Sequence, residues 1–184
     1  MSRYFPHTSY EEDQPLARTI LTTHVLTRGI TTGALIGAGI YGGRSVLSRT
    51  AATTSPSPAV AHSKPLLPKS AVFLRLVGKS TVWTLGIVGL GLVGRIWGRE
   101  DIEWRDRSWR LLENKGQLET DDWTYGGMAA AAVVTAVRRP LGLGWVGVLG
   151  ALGMGSVGGM VGYMGWRYGV HQGKFSGNAR DDSQ

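Results

Sequence analysis

The stretch LGLGWVGVLGALGMGSVGGMVGYMGW, residues Leu141–Trp166, carries no charge and places a glycine every few positions. A helix needs about 20 consecutive apolar residues to cross a hydrocarbon layer of about 30 Å. This run is long enough. Three further glycine-studded apolar blocks precede it, at Gly29–Gly43, Thr81–Trp97 and Gly126–Val137. Together they predict an all-α membrane protein with about four transmembrane helices, packed through Gly-xxx-Gly contacts.

Bulk composition hides this. The chain is 42% hydrophobic and 18% charged over 184 residues, values that suit a soluble domain. The distribution decides otherwise, because charges collect between the apolar blocks. The 28 glycines lie mostly inside those blocks. Within a soluble helix each would cost roughly 0.8–1 kcal/mol against alanine. Between membrane helices small residues let two backbones approach closely. Gly29, Gly33, Gly37, Gly39 and Gly43 form such a surface on the first helix, and Gly155, Gly158, Gly159 and Gly162 on the last. They pack either the chain against itself or the chain against a partner.

Outward from these blocks the organisation follows. Residues 1–15 form a polar tail with acids at Glu11, Glu12 and Asp13, unlike an arginine-rich, acid-poor presequence. Helix 1 is expected over 16–47, a Pro/Ser/Ala-rich linker over 48–69 and helix 2 over 70–98. Helix 3 is expected over 123–138, helix 4 over 141–166, and a polar tail over 167–184. Asp121 and Asp122 suit the start of helix 3, where acids favour the positive dipole end. Trp123 and Tyr125 read as interfacial anchors for that short span.

The segment 99–122 is strongly charged. Asp101–Arg105, Glu103–Arg107 and Asp106–Arg110 are spaced i, i+4 with the acid first, the favourable order on a helix. Ile102, Trp109 and Leu112 share a stripe, with Trp104 beside it. This predicts one extramembrane amphipathic helix. It either lies solvated on the bundle or offers Trp104, Trp109 and Leu112 as a docking surface for a partner or the lipid interface.

Charge sets the expected orientation. Between Asp13 and Glu100 there is no acid, while Arg44 and Arg49 follow the first helix; Arg138 and Arg139 form a basic turn before the last. Bases at the ends of short loops stay on the non-translocated side. Both termini are therefore expected on the outer side. The net charge of +7 is scattered among loops without interleaved aromatics, which favours topology over nucleic-acid binding.

Enzyme motifs are weak. The chain has no cysteine, excluding disulfides, thiolate metal sites and cysteine nucleophiles. Gly37–Gly42, Gly89–Gly94 and Gly153–Gly158 each match GxGxxG, but that turn needs a preceding strand and an acid about 20 residues on. His7, His24, His62 and His171 lack metal spacing; His24 is expected to meet headgroups or a neighbouring helix. No catalytic, cofactor-binding or metal residue is expected, and no small-molecule substrate. Bound phospholipid is the one candidate ligand.

The order of elements resembles a known family. Trp123, Gly126 and Gly127, Ala129–Ala132, Arg138–Pro140 and Gly147–Gly162 look like the Tim-type translocase family of the mitochondrial inner membrane. That resemblance implies four helices with both termini toward the intermembrane space. The segment from Glu103 to Asn114, with Asp121, Asp122 and Trp123, is similar to fungal membrane-arm accessory subunits of respiratory complex I (NADH:ubiquinone oxidoreductase). It implies a non-catalytic accessory subunit of the mitochondrial inner membrane that supports assembly and stability by helix packing. Its partners would be other membrane subunits of that respiratory complex and the lipid bilayer. The alternative is a component of an inner-membrane protein translocase, which would need a water-facing groove. Thr31, Thr32, Thr81 and Thr84 are the residues available for one.

Overall fold

The computed structural model describes residues 4–54, 68–138 and 143–173, the last four of the first stretch by backbone alone. Among the described residues five α-helices follow a 3-10 turn at Glu11–Asp13, and no strand occurs. They are α1 (Ala17–Thr54), α2 (Lys69–Ile96), α3 (Asp101–Glu113), α4 (Lys115–Arg138) and α5 (Gly144–Met164). A π-helical extension, Gly165–Val170, continues α5.

The all-helical expectation holds, but the count of spans changes. α2, and α5 continued to Val170, are each long and apolar enough to cross a membrane. That is two helices, not four. α1 and α4 have the length and fall short in composition. Glycine and threonine dilute the hydropathy of α1, which also carries Arg18, His24 and Arg28; α4 opens with Lys115, Glu119, Asp121 and Asp122.

Helix limits move for local reasons. α1 runs through the first third of the expected linker because nothing in Ser48–Thr54 breaks a helix; Ser48 and Thr50 return their hydroxyls to Ser45 and Val46 carbonyls. The rest of the linker, 55–67, lies outside the described residues, as do Arg139, Pro140 and the tail from 174. α2 stops where Gly98 adopts φ +76, a left-handed conformation that costs glycine no steric penalty.

The segment 99–122 is two helices rather than one. α3 ends at Asn114, and the Asn114 side-chain oxygen accepts the Gln117 backbone N–H at 3.2 Å, capping α4. α4 therefore begins eight residues before the expected start at 123, and Asp121 and Asp122 lie within it.

α5 is central, packing against α1, α2 and α4, while α1 also packs against α2 and α3. Successive long helices run in opposite directions. Arg18 at the start of α1 pairs with Asp101 at 2.5 Å, and Arg167 after α5 reaches Glu119 of α4 at 3.4 Å. Both outer described segments thus meet at one end of the bundle. Every described carboxylate sits there too, since the chain has none from Gln14 to Arg99 or from Trp123 to Arg180. Arg44, Arg75, Lys79 and Arg138 mark the opposite end.

Candidate functional site

Glycine lets the helices touch backbone to backbone. A methyl carbon on Gly33 would lie 2.6 Å from the Thr81 Cα, and one on Gly37 2.7 Å from the Val77 Cα. Gly29 faces Leu85 at 3.2 Å by the same construction. These three repeat every four residues along the α1–α2 seam. On the α4–α5 seam, Gly155 and Gly159 lie against the backbone of Gly127 and Trp123, and Gly162 against the Trp123 ring. Gly78 and Gly150 do the same for α2 and α5, meeting the Val146 and Leu74 carbonyls. Neither Gly78 nor Gly150 stands out by spacing, because each pairs across helices and not with a neighbour on its own.

Three glycines of the expected packing set do not touch other described residues of the chain. Gly39, Gly43 and Gly158 would each present an added methyl to open space. Helical periodicity accounts for this: Gly39 and Gly43 are turned away from the stripe of Gly33 and Gly37, and Gly158 sits beside Gly159 on the outer side.

That outer side is concave. A cavity of about 900 Å³ runs between α4 and α5 over Gly126, Ala130, Val134, Gly155 and Gly158. Trp123, Trp166, Arg167 and His171 line one end, the two indole rings 6.3 Å apart. Trp123, expected as a lipid-interface anchor, is 40% exposed, with its carbonyl against Gly159 and one edge of its ring against Gly162.

A polar seam joins α1 to α4 and α5 inside the bundle. Asp121 is 0% exposed. Its Oδ2 lies 2.8 Å from His24 Nδ1 and its Oδ1 2.7 Å from Arg28 Nη2. A carboxylate only accepts, so His24 donates through Nδ1. Arg28 also donates to Gln117 Oε1 at 3.0 Å. One turn further, Thr27 and Tyr125 hydroxyls are 2.9 Å apart, and beyond them Thr31 and Ser156 at 3.0 Å. Thr27 gives its proton to the Thr23 carbonyl, so Tyr125 donates to it; the Thr31 and Ser156 hydroxyls also reach the Thr27 and Gly153 carbonyls of their own helices. Thus Asp121 serves an interhelical ion cluster two turns into α4, not a helix start, and Tyr125 faces inward rather than anchoring at an interface. His24 meets a neighbouring helix. The pattern that could have revealed this is His24 and Arg28 at i, i+4 on α1, both needing an acid that α1 and α2 lack.

The residues expected to dock a partner are engaged within the chain. Leu112 is only 3% exposed. Trp109 is half-buried, stacked on His7 with centroids 5.8 Å apart, and its Nε1 donates to the Thr8 carbonyl at 2.9 Å. Arg18 lies over Trp104, 5.7 Å from its ring centroid. The N-terminal segment therefore occupies the stripe: Arg105 donates to the Glu12 carbonyl. Of the three i, i+4 pairs, Glu103–Arg107 (3.7 Å) and Asp106–Arg110 (2.7 Å) form; Asp101 pairs with Arg18 instead.

The three GxGxxG stretches lie inside α1, α2 and α5, not at a strand-to-helix turn. Among the described residues no three of His, Cys, Asp and Glu gather as a metal site. Thr31 and Thr81 are buried, and Thr84 faces Gly33; only Thr32 points outward. Arg44, Arg49 and Arg138 are exposed at the end where no described carboxylate lies. Comparison of the chain with protein-family models, curated proteins and solved structures finds no match.

Proposed function

We propose that this chain is a multi-pass, non-catalytic accessory subunit of the membrane arm of mitochondrial complex I, in the inner membrane with both termini toward the intermembrane space. It acts by packing its helices against other membrane subunits, and so supports assembly and stability. The compartment and the complex come from the sequence resemblance; the geometry supports the mode of action.

Two surfaces speak for a lipid setting. Trp83, Ile87, Leu90 and Trp97 follow one another along a single face of α2 and are 67–82% exposed. An uninterrupted apolar stripe of that size is costly in water and is neutral in hydrocarbon. Only 17% of the apolar window of α2 and 33% of that of α5 is buried within the chain.

The observation that carries the packing role is the α4–α5 cavity with Gly126 and Gly158 bare on its surface. Helical glycine costs roughly 1 kcal/mol against alanine. At Gly33, Gly37, Gly78, Gly127, Gly150 and Gly159 that cost is offset by close backbone contact. At Gly158 no described residue of the chain offsets it, whereas a helix from a neighbouring subunit would. The translocase alternative needs polar side chains facing water, and of the four threonines available Thr31 and Thr81 are buried with their hydroxyls on backbone carbonyls.

Native-gel electrophoresis of mild detergent extracts tests the reading. The chain should co-migrate with a large complex that stains for NADH dehydrogenase activity, and Gly158→Leu should release it. Migration in a smaller complex that traps precursor protein would instead support the translocase.

A further inference from the structure

Exposed indoles set the depth at which the bundle would sit in lipid. Trp145 at the start of α5 and Trp166 just beyond its end are 71% and 48% exposed. Their separation is about 32 Å at 1.5 Å per residue. That matches a hydrocarbon layer, whose two surfaces tryptophan favours. α2 runs parallel to α5: a methyl carbon on Gly147 would meet the Arg75 side chain and one on Gly153 the Thr81 hydroxyl, each at 3.5 Å. This register brings Trp97, at the end of α2, level with the turn that follows Trp166. Trp97 is 82% exposed and closes the apolar face of Trp83, Ile87 and Leu90.

At that level a cavity of about 420 Å³ opens where α1 begins, α2 ends and α3 begins. Leu92, Val93 and Ile96 line the side toward the middle of α2, and Arg18, Arg99 and the Trp97 and Trp104 indoles line the outer side. The outer rim carries both signs. Arg18 pairs with Asp101 at 2.5 Å, and Arg99 with Glu103 at 3.1 Å. Each pair engages one nitrogen of a guanidinium that has five N–H groups. Arg18 is also steadied over the Trp104 ring. From the middle of α2 outward the order is apolar wall, indole, then paired base and acid. A phospholipid has the same order of parts: acyl chain, interface, then a phosphate beside an amine.

We propose that this cavity seats the headgroup of a zwitterionic phospholipid whose amine is a primary ammonium. The phosphate accepts from Arg18 and Arg99, the ammonium donates to Asp101 and Glu103, and an acyl chain lies along Val93 and Leu90. Two bases and two acids suit a headgroup that carries both charges better than one that carries a single charge. A quaternary ammonium has no N–H to give the carboxylates, so choline fits less well than ethanolamine. The inference rests on the membrane reading above; a chain that stays folded and monomeric without detergent would sink that reading, whereas the outcomes below bear on the lipid site alone.

The test uses the full chain purified in detergent and titrated with phosphatidylethanolamine, phosphatidylcholine or phosphatidylglycerol of one acyl composition, with retained lipid read by native mass spectrometry. Phosphatidylethanolamine should be retained about tenfold more tightly than phosphatidylcholine, the difference a charge-assisted hydrogen bond makes. Losing both bases in Arg18→Gln/Arg99→Gln should weaken it about twenty-fivefold, at about fivefold per basic residue. Asp101→Asn/Glu103→Gln should erase the preference over phosphatidylcholine. Lys79→Gln/Arg138→Gln, at the opposite end of the bundle, should leave retention unchanged. Charge-preserving Arg18→Lys/Arg99→Lys should keep binding, which separates loss of the site from loss of fold. Equal retention of the ethanolamine and choline lipids, or tighter retention of phosphatidylglycerol, would overturn the proposal. So would a preference that survives in the Asp101/Glu103 variant, or an equal loss in the Lys79/Arg138 variant. Displacement by millimolar glycerophosphoethanolamine, which has no acyl chain, would make the cavity a site for a soluble ligand and overturn it too.

Discussion

Asp121 Oδ1 on α4 and Arg28 Nη2 on α1 stand 2.7 Å apart with the aspartate fully enclosed, so two helices distant in sequence are joined by a desolvated charge pair. Removing one partner of such a pair costs more than the pair contributes, because the survivor is left charged and unpaired. Asp121→Ala should destabilise the bundle by about 3–5 kcal/mol, measured by unfolding in mixed micelles. Replacing Asp121, His24 and Arg28 together by leucine should recover most of that loss. A triple variant as unstable as Asp121→Ala would show that the cluster stabilises by something other than mutual neutralisation.

Packing predicts an asymmetry among glycines that look alike in the sequence. Gly150→Ala and Gly159→Ala push a methyl into the Leu74 and Trp123 carbonyls and should cost about 1–3 kcal/mol. Gly158→Ala meets no atom of the described residues, so the isolated protein should be unchanged or gain slightly in stability. Equal losses at Gly158 and Gly159 in the isolated chain would count against the close-contact account.

The N-terminal segment should detach when its anchor on α3 is cut. Trp109→Phe keeps the stacking on His7 but deletes the hydrogen bond to Thr8, a loss of about 0.5–1.5 kcal/mol. Faster amide exchange confined to residues around Thr8–Gln14 is the expected outcome, with α4 and α5 unaltered.

Acid should strengthen that same contact. The Glu11 carboxyl is raised above its ordinary value, first by a hydrogen bond with Asp106, then by what desolvation it has and by the Asp106 charge. An acid that binds its proton more tightly in the docked state favours docking as pH falls. The penalty from Glu11 is present at neutral pH and is relieved as pH drops through its raised value. Protease resistance near residues 10–14 should therefore rise on mild acidification, and Glu11→Gln should remove the dependence. A segment released by mild acid would contradict this sign.

Orientation can be read directly because the chain has no cysteine of its own. Glu113→Cys and Arg138→Cys place single thiols on exposed positions at the two ends of α4 and just before it. A membrane-impermeant maleimide applied from one side of sealed vesicles should label one variant and spare the other. Labelling of both from the same side would show that α4 does not cross.

Much of the architecture was legible because its cause is local. Apolar runs at Thr81–Gly94 and Leu141–Trp166, both uncharged, point to α2 and α5 without any neighbour being known, since length and hydropathy are properties of the segment. The four-residue repeat of Gly29, Gly33 and Gly37 likewise predicts a face of α1. Asn114 with Gln117 three residues on was a readable cap, and its omission merged α3 with the start of α4. The fates of Asp121, Tyr125 and Leu112 were not legible from their surroundings in the chain. Each turned on which helix came alongside, and nothing within a few residues records that.

Composition and periodicity, then, were enough to make this chain a set of glycine-rich helices with its acids gathered in a few short stretches, because each helix obeys its own residues. Folding chose the pairings: Gly150 against Leu74, Asp121 between His24 and Arg28, the N-terminal segment over Trp109, Gly158 left bare. Those depend on the register and direction in which helices meet. A one-residue turn of any helix, about 100°, would have brought a different set of side chains into contact.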